Sequence, residues 1–199
     1  MWPDVYLAAE DEPGLAIGRK LIANAAPLRI YREENARGTG NLKNKIRSYQ
    51  KMGVRMPVLM ITDLDEKPCP SKLIKDWLGV APSKGFLFRI CVREVEAWLL
   101  AHREAMAAFL NIAESKLPME PEKLADPKAE LIRLARHAPR NIRVGLTPVD
   151  SATIGPNYNM LLKEFIQKAW SPAIASARAP SLERARQRID QLAALVARA

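Results

Sequence analysis

Val58-Leu59-Met60-Ile61-Thr62 is a short apolar, β-branched run that leads straight into two aspartates one residue apart, Asp63 and Asp65. Such a run reads as a strand. Side chains alternate faces along a strand, so the spacing points Asp63 and Asp65 the same way and turns Leu64 into the packing. If the strand is central in a parallel sheet, its carboxyl end opens on the crevice where such folds place ligands. Two carboxylates gathered there repel each other unless a cation lies between them. Hard oxygen donors with room for water suit Mg²⁺ or Mn²⁺. The plainer reading is a strand followed by an acidic turn, since Asp is a common turn former.

The rest of the first half alternates in the same manner. Val5-Tyr6-Leu7-Ala8-Ala9 reads as a strand closed by the acidic turn Glu10-Asp11-Glu12-Pro13-Gly14. Leu15, Ile17, Leu21 and Ile22 then mark an amphipathic helix, and Leu28-Arg29-Ile30-Tyr31 a second strand. The stretch from Asn41 to Met52 has helical spacing, with Asn41 as a cap and Gly53 as a stop. A helix near Ser71 to Leu78 and a strand over Phe86 to Val92 follow. This order predicts an α/β fold with a mainly parallel sheet flanked by helices. Beyond Glu94 helices take over, over Ala97 to Leu110, Lys128 to His137, a segment ending near Trp170, and Leu182 to Ala197. The expected organisation is an α/β unit over 1–112 and an all-helical C-terminal extension over 113–199.

Composition bounds the function. With 48% hydrophobic residues the chain can build a real core, and its net charge of +9 points to an anionic partner, nucleic acid first. Cys69 and Cys91 stand in unlike contexts and give neither a disulfide framework nor a zinc site. His102 and His137 read as surface or capping groups, and Trp77, Trp98 and Trp170 as core. There is no signal-peptide-like start and no apolar run of bilayer length, so a reduced, cytoplasmic, soluble protein without a membrane partner is expected.

Acid gathers at three strand ends: Glu10 after the first, Asp63 and Asp65 after a later one, Glu94 and Glu96 after another. If the last strand runs on through Glu96, both glutamates share a face. If a helix has begun, they lie about 200° apart and only one reaches the site. Glutamates at helix N-termini are also favoured by the helix dipole, without any ligand.

In these residues the chain resembles the TOPRIM-like proteins of the DUF4276 type, relatives of the OLD-family nuclease domain. The resemblance lies in Glu10, Asp63-Leu64-Asp65, and Arg93-Glu94-Val95-Glu96-Ala97-Trp98-Leu99-Leu100-Ala101, matching a family segment REhExWLLA. It continues through Asp126-Pro127-Lys128, Gly155-Pro156-Asn157-Tyr158-Asn159 and Pro180-Ser181-Leu182-Glu183-Arg184-Ala185. One departure stands out. The usual VEGxTE start reads Ala9-Glu10-Asp11-Glu12-Pro13-Gly14, so its second acid falls on Gly14, leaving Asp11 and Glu12 as the nearby acids. The resemblance implies a TOPRIM-like sheet and a Mg²⁺- or Mn²⁺-dependent nuclease, with Asp63, Asp65, Glu10 and Glu94 or Glu96 as metal ligands or catalytic groups. It further implies a component of a prokaryotic, phage-directed defence system beside a separate ATPase subunit of AAA or ABC type. No Gly-x-x-x-x-Gly-Lys-Ser/Thr loop is present, so ATP hydrolysis would fall to that other subunit.

Positive charge supplies the candidates for nucleic-acid contact. Lys67 and Lys72 follow the aspartates closely enough to meet a phosphate. Arg133, Arg136 and Arg140 keep helical spacing, and Arg184 and Arg188 share a face of the last helix. Rows of this kind can track a phosphate backbone, and they also serve as ordinary solvated faces. The alternative to a nuclease is a non-catalytic scaffold that binds nucleic acid or protein and holds a structural ion or none.

Overall fold

A computed structural model describes residues 3–198; positions 1, 2 and 199, at the limits of the two expected units, lie outside the described residues. Four strands, β1 (Asp4–Ala9), β2 (Arg29–Asn35), β3 (Val58–Asp63) and β4 (Phe86–Cys91), form one sheet in the order β2-β1-β3-β4. Every pairing is parallel. The fold is therefore α/β, with helices on both faces of the sheet. Helix α1 (Glu12–Ala23) joins β1 to β2. Helices α2 (Thr39–Asn44) and α3 (Ile46–Met52) join β2 to β3, and α4 (Pro70–Leu78) joins β3 to β4. Seven further α-helices follow among the described residues: α5 (Val95–Leu100), α6 (Arg103–Leu110), α7 (Pro127–Ala135), α8 (Arg140–Leu146), α9 (Tyr158–Lys168), α10 (Pro172–Ala175) and α11 (Pro180–Ala197), with two 3₁₀ turns, Glu114–Lys116 and Pro121–Lys123, between α6 and α7.

Strand periodicity sorts the core into two clusters. Val5, Leu7 and Ala9 of β1 and Leu59 and Ile61 of β3 face one side, against α1, α5 and the helices that follow. Ala8, Val58, Met60, Phe86 and Phe88 face the other, against Leu42, Ile46, Tyr49 and Leu73 of α2, α3 and α4. Covered on both faces, β3 buries all six of its residues, which is why it reads as a continuous apolar run. The C-terminal helices share the first cluster with the sheet, from Val5 to Val196. Helix α1 lies close over β1 because Gly18 has no side chain; a Cβ there would meet Leu7 Cδ1 at 2.4 Å. None of the helices among the described residues is long and apolar enough to cross a membrane.

Several boundaries differ from the expectation. The stretch 41–52 is two helices, α2 and α3, and Asn41 does not cap them; its side chain donates to the carbonyls of Ala36 and Arg37 at 3.0 and 3.3 Å. The expected helix over 97–110 is likewise split, because His102 leaves the helical region at φ −87°, ψ 70°. His102 is buried rather than exposed, and its Nδ1 accepts from Ser171 N at 3.0 Å. Burial pulls its pKa below the ordinary histidine value. Trp98 and Trp170 are core, while Trp77 is half-buried and stacks on Phe88.

Candidate functional site

The order β2-β1-β3-β4 places β2 and β3 on opposite sides of β1, so the chain reverses its winding direction between β1 and β3. Beyond the carboxyl ends of those two strands the flanking connections diverge and leave a crevice. Glu10 directly follows β1 and Asp63 ends β3, so both stand at that switch point.

Glu10 is held from three directions. Its Oε1 accepts from Asp63 N at 2.7 Å and from Thr62 Oγ1 at 3.1 Å, and its Oε2 accepts from Thr39 Oγ1. Asp63 is 8% exposed, and its Oδ1 accepts from Val95 N at 2.9 Å, tying β3 to the first turn of α5. No donor among the described residues is bonded to the other Asp63 oxygen. Burial, then the charges of Glu10, Glu96 and Asp11, raise the Asp63 carboxyl well above the usual carboxylate range.

Asp65 departs from the strand expectation. The strand ends at Asp63, and Asp65 takes a left-handed conformation, φ +51°, in an exposed turn. Strand alternation therefore does not set its direction; the turn does, and it too lines the crevice. Glu10, Asp11, Asp63, Asp65, Lys128 and Asn159 surround one hollow. A second hollow adjoins it at Asp65 and is lined by Lys67, Arg93, Glu94 and Asp126. The Asp65 carboxyl is also raised, by burial and then by Glu10 and Glu94. Asp11 caps α1 by accepting from Gly14 N at 2.9 Å, and burial raises its pKa. Glu12 lines the same hollow but is paired with Arg19 at 3.0 Å and Lys163 at 2.9 Å.

Glu94 and Glu96 meet at one point although a helix begins between them. Glu94 is still extended at φ −137°, ψ 163°, while Glu96 lies in the first turn of α5. Their common point is Lys128, the second residue of α7: its ammonium lies 3.4 Å from Glu94 Oε1 and 3.9 Å from Glu96 Oε1. Its amide also donates to Glu94 Oε2 at 2.9 Å. Burial alone would lower the Lys128 pKa, but Glu96, Glu94 and Asp63 outweigh it and hold the ammonium charged. Glu96 accepts from the Tyr158 hydroxyl at 2.9 Å, and its second oxygen is buried without a partner. Lys128, Tyr158 and Asn159 are site residues the sequence candidates lacked, as are Thr39 and Thr62; the Asp-Pro-Lys and Gly-Pro-Asn-Tyr-Asn segments were the signal for the first three.

The remaining basic candidates are dispersed. Lys67 lines the second hollow, while Lys72 is exposed on α4 and lines neither. Arg133 forms a two-bond pair with Glu130 at 2.7 Å on its own helix, while Arg136 and Arg140 are exposed near it. Arg184 and Arg188 lie elsewhere, exposed on α11.

The donor chemistry suits a hard cation: every acidic group at the hollow offers oxygen, and mutual repulsion leaves the set short of positive charge. Among the described residues no three acidic, histidine or cysteine side chains close round one point. A divalent ion there would hold one or two carboxylates and complete its shell with water, as Mg²⁺ commonly does. No protein-family model matches the chain, and no curated protein or solved structure proves similar to it.

Proposed function

We propose that this protein is a metal-dependent phosphodiesterase that cleaves DNA or RNA at the β1/β3 crevice, in the manner of a TOPRIM-type nuclease. The observation that carries the reading is the convergence of Glu10, Asp63 and Asp65 on one hollow at the switch point of a parallel sheet. Asp63, with one oxygen unbonded, and Asp65 would hold Mg²⁺ or Mn²⁺, with Glu10 beside them. The metal, when bound, polarises a phosphate and acidifies its water. Glu10, fixed by Thr39, Thr62 and the Asp63 amide, is oriented to hold or move a proton at its carboxylate. Lys128, at the rim of the same hollow, offers an ammonium to a phosphate oxygen, and Glu94 and Glu96 position it. A part in phage defence beside a separate ATPase belongs to the same proposal and rests on the resemblance of the motifs. The open spacing of the acids favours a second reading, a non-catalytic scaffold.

Asp63→Asn separates the two, because an amide oxygen can still accept from Val95 N and preserve the fold. Labelled single- and double-stranded DNA and RNA are incubated with Mg²⁺ or Mn²⁺ and either protein. Wild type should cleave in a metal-dependent way, and the variant should lose at least about 10²-fold in rate with its circular dichroism unchanged. Equal cutting by both proteins contradicts the enzyme reading.

A further inference from the structure

A second charged cluster lies outside the crevice, on the sheet edge formed by β4. The strand alternation places Arg89 on the same face as Leu87 and Cys91, the face that α11 covers. Helix α11 starts at the carboxyl end of β4, where Ser181 Oγ accepts from Val92 N at 3.3 Å. It then runs back along the strand, since Ile189 and Asp190 lie beside Leu21 and Asn24 at the far end of α1. Arg89 is three residues before Val92, about 10 Å down the strand. Arg184 and Arg188 are three and seven residues after Ser181, about 5 and 10 Å along the helix, so Arg188 comes level with Arg89 and Arg184 lies one turn before it.

The three guanidinium groups lack acidic company. Among the described residues none of them forms an ion pair. The helix acids point elsewhere: Glu183 pairs with Arg186, and Asp190 faces α1. Arg188 donates only to the neutral Gln191, at 2.6 Å. Arg89 Nε is buried with no partner at all. Burial first, and then Arg188 and Arg184, push the Arg89 pKa down to about 10. A charged donor left buried and unbonded is costly, and a fold that retains one gains from an anion supplied from outside.

We infer that Arg89, Arg184 and Arg188 form an oxyanion site on the β4 edge that takes a backbone phosphate of a nucleic-acid strand. The oxyanion chemistry stands on the arginines alone; the assignment to a strand rests on the nucleic-acid reading above. Three forked donor groups suit a tetrahedral phosphate, to which arginine bonds in a bidentate manner. The strand passing through the crevice would thus be gripped a short distance from the aspartates, since Arg89 is in register with Ile61, two residues before Asp63.

The test uses wild type, Arg89→Gln and the double variant Arg184→Gln/Arg188→Gln, the last changing only exposed residues. Anisotropy of a labelled single-stranded oligonucleotide is titrated across a salt series in EDTA, which keeps cleavage out of the measurement. Melting temperature is recorded with inorganic phosphate and with chloride at equal ionic strength. Each variant should bind the oligonucleotide about tenfold more weakly, and Arg89→Gln should flatten the salt dependence by about one unit of log–log slope. Phosphate should raise the melting temperature of wild type and not that of the variants. Loss of the phosphate effect without loss of oligonucleotide affinity overturns the strand assignment in favour of a free phosphate. Variants equal to wild type in both measurements overturn the site altogether. Loss of the phosphate effect, in a wild type that binds no oligonucleotide, supports the oxyanion site while removing the nucleic-acid reading.

Discussion

Glu96 shows how far the site departs from a solvated acidic cluster. It is 2% exposed, and burial pushes its pKa up to about 7 even though Lys128 works in the opposite direction. Its folded pKa thus lies above the ordinary 4.5, so the native state binds the proton more tightly than the unfolded chain does. That contribution to stability is complete below pH 4.5 and is lost as pH rises through 7. Glu96→Gln mimics the protonated form. Its stability relative to wild type should increase by about 3 kcal/mol between pH 4.5 and pH 8, read by urea unfolding at each pH. A difference independent of pH would contradict the burial argument. The sequence marked Glu96 as a candidate but offered two incompatible orientations relative to Glu94. What decides between them is the extended backbone of Glu94 and the arrival of Lys128 from a helix more than thirty residues away. Neither is visible in local spacing.

At the scale of elements, the start of α11 is fixed by a buried polar knot. Trp98 Nε1 donates to Ser181 Oγ at 2.7 Å, and Ser181 Oγ and N donate to Glu122 Oε1 at 2.6 and 2.9 Å. One hydroxyl therefore joins α5, α11, the end of β4 and the 3₁₀ turn carrying Glu122. Ser181→Ala removes the hydroxyl and leaves the Trp98 N–H buried without a partner, so it should cost about 1–3 kcal/mol of stability in urea unfolding. A loss below about 0.5 kcal/mol would show that the knot is dispensable. A comparable constraint sets Tyr158. A Cβ on Gly155 would meet the Gly145 carbonyl oxygen at 2.2 Å, so the turn before α9 depends on that close approach. Strands β1, β3 and β4 were legible as short apolar runs and most helices by their 3.6 period. The splits between α2 and α3 and between α5 and α6 were not, since Leu42, Ile46 and Tyr49 keep helical spacing across the first break and the second falls within a run rich in Ala and Leu. Asp65 was left between two readings for a similar reason, a continuing strand or an acidic turn, and the left-handed turn is the one observed.

Across the whole molecule, the parallel sheet gathers acids from separate segments at its switch point, while the basic surplus is spread over the outer helices. On the proposed function, this arrangement sets a cation within reach of an anionic strand, and the metal at Asp63 is the claim on which the proposed chemistry depends. Its direct test is calorimetric titration of Mn²⁺ into wild type and the Asp63→Asn/Asp65→Asn variant at neutral pH. Each titration is run with and without a cleavage-resistant phosphorothioate oligonucleotide, so that a site completed by substrate is also detected. Saturable binding in wild type, weakened at least about tenfold in the variant, is the predicted result, because each charged ligand lost is worth upwards of a kcal/mol. No saturable binding in either condition, or equal affinity in the two proteins, would contradict a metal at the aspartates.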